Sequence, residues 1–248
     1  VRDFWTKEAE KAGGEASLAN FVPYITSKFN VFIANDYMRP IIGQSKTTLN
    51  FADILNNKKI LLVNLAKGRL GEINSNLIGM IVVGKLTMAA FSRENIPEDQ
   101  RHDFYLYLDE FQNVATDSIA TILSEARKYR LCLTIAHQYI SQIPEDIKAA
   151  VFGNVGSMVV YRIGIDDAQF MVKQFEPIFD QNDIANIGNF KAHVKLLINN
   201  QTTPPFNLGF DEPLKGNFET AQLMRELSRL KYGRDRAIVE EEIMRKYH

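Results

Sequence analysis

Phe104-Tyr-Leu-Tyr-Leu108 runs straight into two acids, Asp109 and Glu110. Charged residues are rarely buried without a partner. A buried strand that ends in paired carboxylates makes sense where the carboxyl edge of a parallel sheet opens onto a ligand crevice. Adjacent acids there can serve two points of one phosphoryl-transfer site. The first carboxylate can hold Mg²⁺, usually through water, and the second can accept a proton from an attacking water. The competing reading is that Asp109 caps a turn and Glu110 is solvated, since such strand ends also occur by chance. Gln138 ends the next apolar run, Leu131-Cys-Leu-Thr-Ile-Ala-His-Gln138. A glutamine at the end of a neighbouring strand can orient the water beside a γ-phosphate, or it can cap a turn. Arg127 can stabilise the transferring group, often from an adjacent subunit, or it can be a solvated helix residue.

The elements that must position these residues follow from periodicity. Lys59-Ile-Leu-Leu-Val-Asn-Leu65 reads as a strand buried on both faces. Further strands are expected over 104–108, 131–136, 157–163 and 193–198. Helices are expected over 73–93, with Gly79 and Gly84 as its weak points, and over 118–130, 144–151 and 166–175, the last capped by Asp166. Strands alternating with helices predict an α/β fold with a mostly parallel sheet flanked by helices. Residues 3–12 look helical, and Phe21, Tyr24, Ile25, Phe29, Phe32 and Ile33 recur at helical intervals after them. The expected organisation is a helical segment over 1–45, an α/β core over 46–215 and a charged helical appendage over 216–248 that packs on the core and breaks near Gly233.

The 248 residues suit one large domain, or one domain with appendages. With 46% hydrophobic and 24% charged residues the chain is of ordinary globular composition. A net charge of −1 neither suggests nor excludes a nucleic acid, because a few basic loops can hold DNA on a neutral protein. Cys132 lies in an apolar run and reads as a buried core residue. A lone cysteine allows no intrachain disulfide and no cysteine-rich metal site, which favours a reducing, cytoplasmic setting. The apolar run Leu77–Phe91 is short for a membrane span and contains Lys85, and no signal peptide is apparent.

Leu108-Asp-Glu-Phe-Gln-Asn113, Ile122-Leu-Ser-Glu-Ala-Arg-Lys-Tyr129 and Thr134-Ile-Ala-His-Gln-Tyr-Ile-Ser-Gln142 together resemble the conjugative coupling proteins of type IV secretion. These are the TraG/TraD class of the HerA/FtsK superfamily of DNA-pumping ATPases. Ile60–Gly71 and Val159–Gly164 fit the same pattern, and the similarity covers most of residues 15–200. The resemblance implies a RecA-like fold, a homo-oligomeric hexameric ring, ATP with Mg²⁺ as cofactors, and DNA in a central channel. It also implies type IV secretion components as partners and a cytoplasmic location at the inner face of the cell membrane, with membrane contact only through parts outside this chain. It gives Asp109 and Glu110 the Walker B role, with Asp109 on Mg²⁺ through water, and Gln138 the sensor role. Arg127 suits an arginine finger that reaches the neighbouring subunit's nucleotide, and Arg162 is a second candidate for a trans-acting arginine.

The family's phosphate loop, GxxxxGK[ST], is missing. Gly43-Gln-Ser-Lys46-Thr47-Thr48 lacks the first glycine and the spacing, and neither a strand before it nor a long helix after it is expected, so it reads as a connecting loop. In the family that loop lies upstream, followed by a helical insertion of which residues 1–40 would be the end. The RecA-like sheet then has an unfilled slot between the sensor strand and the later strands. The alternatives are a non-catalytic RecA-like module for assembly or DNA binding, and a Mg-dependent nuclease using Asp109 and Glu110, which lacks the further acids such a site needs. His102, His137, His193 and His248 have no metal-ligand spacing. Arg225, Arg229, Lys231, Arg234 and Arg236 interleave with acids and read as a solvated helix. Lys67 and Arg69 follow a strand at the sheet edge of Asp109, where they could touch nucleotide or DNA. Trp5 reads as a packing anchor.

Overall fold

The computed structural model describes residues 14–245. The helix expected over 3–12, Trp5 and His248 lie outside the described residues. Helices α1 (Gly14–Ile33), α2 (Met38–Ile42), α3 (Phe51–Asn56), α4 (Lys67–Leu70) and α5 (Glu72–Phe91) precede the first strand. Then β1 (Phe104–Leu108), α6 (Asp117–Glu125), β2 (Leu131–Ile135), α7 (Glu145–Asn154), β3 (Met158–Val160) and α8 (Ile165–Phe175) alternate. They are followed by α9 (Gln181–Ala185), β4 (Lys191–Lys195), β5 (Leu197–Ile198), β6 (Gln201–Thr202) and β7 (Phe206–Gly209), and then by α10 (Phe218–Tyr232) and α11 (Arg236–Arg245). The loop expected over Gly43–Thr48 is a loop.

β1 and β2 pair in parallel, from Phe104 opposite Leu131 to Leu108 opposite Ile135, with α6 as the crossover. The mostly parallel sheet expected from the alternation is confined to this pair. β3, β4 and β7 form a separate antiparallel sheet, and β5 and β6 form a hairpin. Asn199 and Asn200, at φ 51° and 62°, form the two-residue turn of that hairpin, a geometry that asparagine tolerates.

Lys59–Leu65 is a second correction. It has no regular secondary structure and joins no sheet among the described residues, and Ile60 and Leu62 are 89% and 90% exposed while Leu61 packs on the core. A run buried on both faces needs cover on both, and among the described residues only one side is packed. β1 is likewise covered on one face: Leu106 is buried, whereas Tyr105 and Tyr107 are 59% and 70% exposed. Asp166 does not cap α8; Gly164 holds that position, and Asp166 sits in the first turn.

The main core joins Val83, Leu86 and Ala90 of α5 to Leu106 of β1, Ile122 of α6 and Leu131 of β2. Each fully buried aliphatic side chain contributes about 1.5–3 kcal/mol. The helical stretch Glu72–Asn95 has 24 residues and contains an 18-residue window of mean hydropathy 1.4, which by length and composition is enough to cross a bilayer. It outruns the Leu77–Phe91 segment because the helix continues at both ends, and Val83, Leu86, Ala89 and Ala90 on it join the main core. Gly79 is a packing requirement in it, since a Cβ there would lie 2.5 Å from Val114 Cγ1.

The chain divides into two compact units. One holds the described residues among 1–49, 66–75 and 219–248. The other holds 50–65 and 76–218, with all the strands. In the first, α11 packs on α2: Val239 and Ile243 are buried, Gly43 lies tight against Ile243, and Arg39 pairs with Glu240 at 3.7 Å.

Candidate functional site

β1 delivers Asp109 and Glu110 to the carboxyl edge of the parallel pair. The ladder extends one step past the strands, with Ala136 N donating to Leu108 O at 2.9 Å and Phe111 N to Ala136 O at 3.0 Å. Phe111 is fully buried against Ile143, Ile147 and Val151. To join the strand to that anchor, Glu110 takes φ 51°, ψ 46°. A residue with a Cβ enters this left-handed region only when its surroundings impose it, and such positions cluster at functional sites. Asn113 Nδ2 donates to Glu110 O at 3.0 Å and Glu110 N to Asp109 Oδ1 at 3.0 Å, fixing the turn.

Each oxygen of the Glu110 carboxylate accepts a side-chain amide. Gln138 Nε2 donates to Oε1 and Gln112 Nε2 to Oε2, both at 2.6 Å. Gln112 Nε2 also reaches Gln142 Oε1 at 3.1 Å. A carboxylate only accepts, so both amides must turn their nitrogens to it. Gln112 Oε1 is thereby buried without a partner, a cost of about 1–3 kcal/mol that the charged bonds to Glu110 offset.

Asp109, Glu110 and Gln138 therefore stand together, as their types and spacing suggest. Gln112 and Gln142 join them unannounced. Only the position of Gln112, two residues after Glu110, hinted at its part. Arg127 does not meet this cluster within one chain. It is exposed in the single turn of 3-10 helix after α6, and its Nη2 contacts Asn200 Oδ1 at 3.4 Å. Arg162 lies just past β3 and lines a cleft of about 520 Å³ with His137, Gln138, Gly164 and Asp167. Val151, Phe152, Val155 and Met171 give this cleft apolar walls. Among the described residues β2 pairs only with β1 and β3 only with β4, so the cleft lies between two strands that each have one edge unpaired there. Lys67, in α4, pairs with Glu72 at 3.9 Å.

The donor chemistry at this edge suits one carboxylate contact to a hydrated Mg²⁺ rather than a protein cage. Among the described residues no group of three His, Cys, Asp or Glu side chains could cage a metal. Mg²⁺ characteristically keeps its waters and takes one or two carboxylates with substrate phosphates, and Asp109 is an exposed carboxylate at a strand end.

His137 packs edge-on against Phe111, centroids 5.4 Å apart. Burial pushes its pKa below the usual 6.5, and Asp167 and Glu110 oppose that shift. A lowered histidine pKa means that protonation disfavours the folded state. Its contribution is complete above the unfolded value and is lost as pH falls through the folded one. Urea melts of this chain between about pH 5 and pH 7 should show stability falling with pH, and His137→Gln should flatten that fall. A variant as pH-sensitive as the parent would acquit His137.

Residues 103–172 match the family model described as "TraM recognition site of TraD and TraG". No curated protein matches the chain significantly. Solved structures that resemble it include the bacterial conjugative coupling protein TrwBdeltaN70, in a trigonal form in complex with sulphate. The two are 18% identical with a TM-score of 0.45, over 55% of this chain and 37% of that one. This chain thus spans little more than a third of the length of that structure.

Proposed function

We propose that this chain, whose residues 103–172 are of the TraG/TraD class of coupling proteins, is the Walker B half of an ATP-driven motor that moves DNA in conjugation. The observation that carries this reading is the cleft between the unpaired edges of β2 and β3, which opens beside Gln138. It is where a RecA-like sheet would receive its phosphate-loop strand, and completing that sheet would give a RecA-like core. The exposed Tyr105–Tyr107 face of β1 equally fits a further layer.

In this reading bound ATP with Mg²⁺ would supply the phosphoryl group that passes to water, and Asp109 would be the residue that holds the metal. Glu110 takes the proton of the attacking water, and Gln138, already bonded to Glu110, sets the direction of that carboxylate. Arg127, exposed and apart from Glu110, suits action on a neighbouring subunit's nucleotide in a hexameric ring around DNA, and Arg162 is the second candidate. The matched family is named for recognition by TraM, which supports a partner from the conjugation and secretion machinery at the cytoplasmic face of the membrane. The absence of GxxxxGK[ST] from residues 1–248 favours one second reading, a non-catalytic module for assembly or DNA binding.

Purified residues 1–248 should bind ATP poorly and hydrolyse almost none, while a longer protein that includes an upstream phosphate loop should turn over ATP faster with DNA. Steady turnover by residues 1–248 alone refutes the half-site. A longer protein with the loop but no DNA-dependent turnover refutes the motor and leaves the module.

A further inference from the structure

We propose that a shallow cleft on the antiparallel sheet, built from Tyr161, Phe190, Arg162 and Lys191, binds single-stranded DNA by stacking bases on its rings and seating phosphates on its cations. The cleft measures about 370 Å³ and is completed by Gly188 and Asn189. Tyr161 and Phe190 are 55% and 56% exposed, although rings of this size usually bury most of their area. Phe210 backs Tyr161, centroids 5.5 Å apart. Phe210 N donates to Phe190 O at 2.8 Å, which extends the β4–β7 ladder by a step and fixes Phe190 at the head of β4. Phe190 sits at φ 56°. A bulky residue held in the left-handed region is an outlier, and such strain gathers at ligand clamps. No carboxylate lines the cleft, and neither Arg162 nor Lys191 is in an ion pair among the described residues.

Flat exposed rings beside unpaired cations match the two parts of a nucleotide unit, an aromatic base and a phosphate. A duplex keeps its bases stacked inside and offers the rings nothing. A free nucleotide needs walls on both sides of its base, whereas every residue lining this cleft is exposed. An extended single strand needs only the platform and the charges. Tyr161 and Arg162 also line the larger cleft beside Gln138, so this inference rests on the DNA part of the proposed function and takes Arg162 as a phosphate contact, which leaves Arg127 as the trans-acting arginine.

The test is fluorescence anisotropy of a labelled oligothymidine strand with purified residues 1–248. Phe190→Leu and Tyr161→Ala should each weaken binding by about tenfold. Lys191→Gln, an exposed change that does not threaten folding, should weaken it and reduce the slope of log K against log salt by roughly 0.7, one phosphate's worth for a single strand. Binding of a duplex of the same sequence should not change. The proposal is overturned if residues 1–248 do not bind the strand, if Phe190→Leu and Lys191→Gln bind it like the parent, or if the variants weaken duplex binding as much as binding of the strand. Neutral variants beside DNA-stimulated turnover in the longer protein would remove this cleft and leave the motor. Weakened variants beside a longer protein without turnover would do the reverse.

Discussion

Glu110→Gln, in a protein that also carries the phosphate loop, should lose ATP turnover by a factor on the order of 10²–10⁴ and retain nucleotide binding. The amide has the shape of the carboxylate but cannot accept the proton of an attacking water. Gln138 Nε2 and Gln112 Nε2 now each donate to one carboxylate oxygen. An amide can accept only one of these bonds and turns a second donor toward the other glutamine, so the orientation of the side chain degrades along with its basicity. The backbone turn should survive, because it is fixed by Asn113 Nδ2 on Glu110 O and by the buried Phe111. Asp109 is unchanged, and Mg²⁺-nucleotide affinity should change little. A nucleotide-binding assay beside steady-state turnover separates the two effects, and unchanged turnover removes Glu110 from the mechanism.

The parts of the site that were legible in the sequence are those set by local pattern. Phe104–Glu110 and Leu131–Gln138 are short apolar runs that end in polar groups, and their parallel pairing follows from the helix between them. Gln138 therefore meets Glu110 for reasons visible in one dimension. Gln142 does not. It reaches Gln112 across 30 positions, and its place depends on how the chain turns after β2. The uncovered face of Lys59–Leu65 has the same origin. An apolar run records that a segment seeks cover, and which segment supplies it is a non-local fact. The sheet departs from the expected parallel order for a related reason. Alternation of strands and helices predicts parallel order only while the crossovers persist, and past α9 the connections shorten to hairpins, so β4 and β7 run antiparallel. Phe190 shows the limit most sharply, because its left-handed backbone and exposed ring have no signature in a sequence window.

Arg93, read from the sequence only as the end of a helix, should be among the most costly residues to replace. It is fully buried. Its Nε donates to Asn56 Oδ1 at 2.9 Å, Nη1 to His102 O at 3.0 Å and Tyr129 O at 2.8 Å, and Nη2 to Leu55 O at 2.7 Å. One planar fork thus ties α3, the approach to β1 and the approach to β2. Burial lowers its pKa, Arg101 adds to that shift, and Asp103 opposes it. The guanidinium nonetheless stays charged, as arginine does in proteins, and three carbonyls and an amide oxygen compensate it. Arg93→Met keeps most of the volume but leaves those oxygens buried without donors. Each unsatisfied group costs about 1–3 kcal/mol, not additively, so a loss of about 3–5 kcal/mol is expected, in the range for breaking a buried charged network. At roughly 2–4 °C per kcal/mol for a chain of this size, the melting temperature should fall by about 10 °C. Arg93→Lys should not rescue it, because an ammonium lacks the fork that spans oxygens on three segments. Because His102 and Tyr129 precede β1 and β2, partial unfolding should begin where those strands pair, and amide exchange in 104–108 and 131–135 should quicken before it does in α8. A urea midpoint for Arg93→Met within error of the parent would mean that the buried fork is dispensable and that α5 alone holds these segments together.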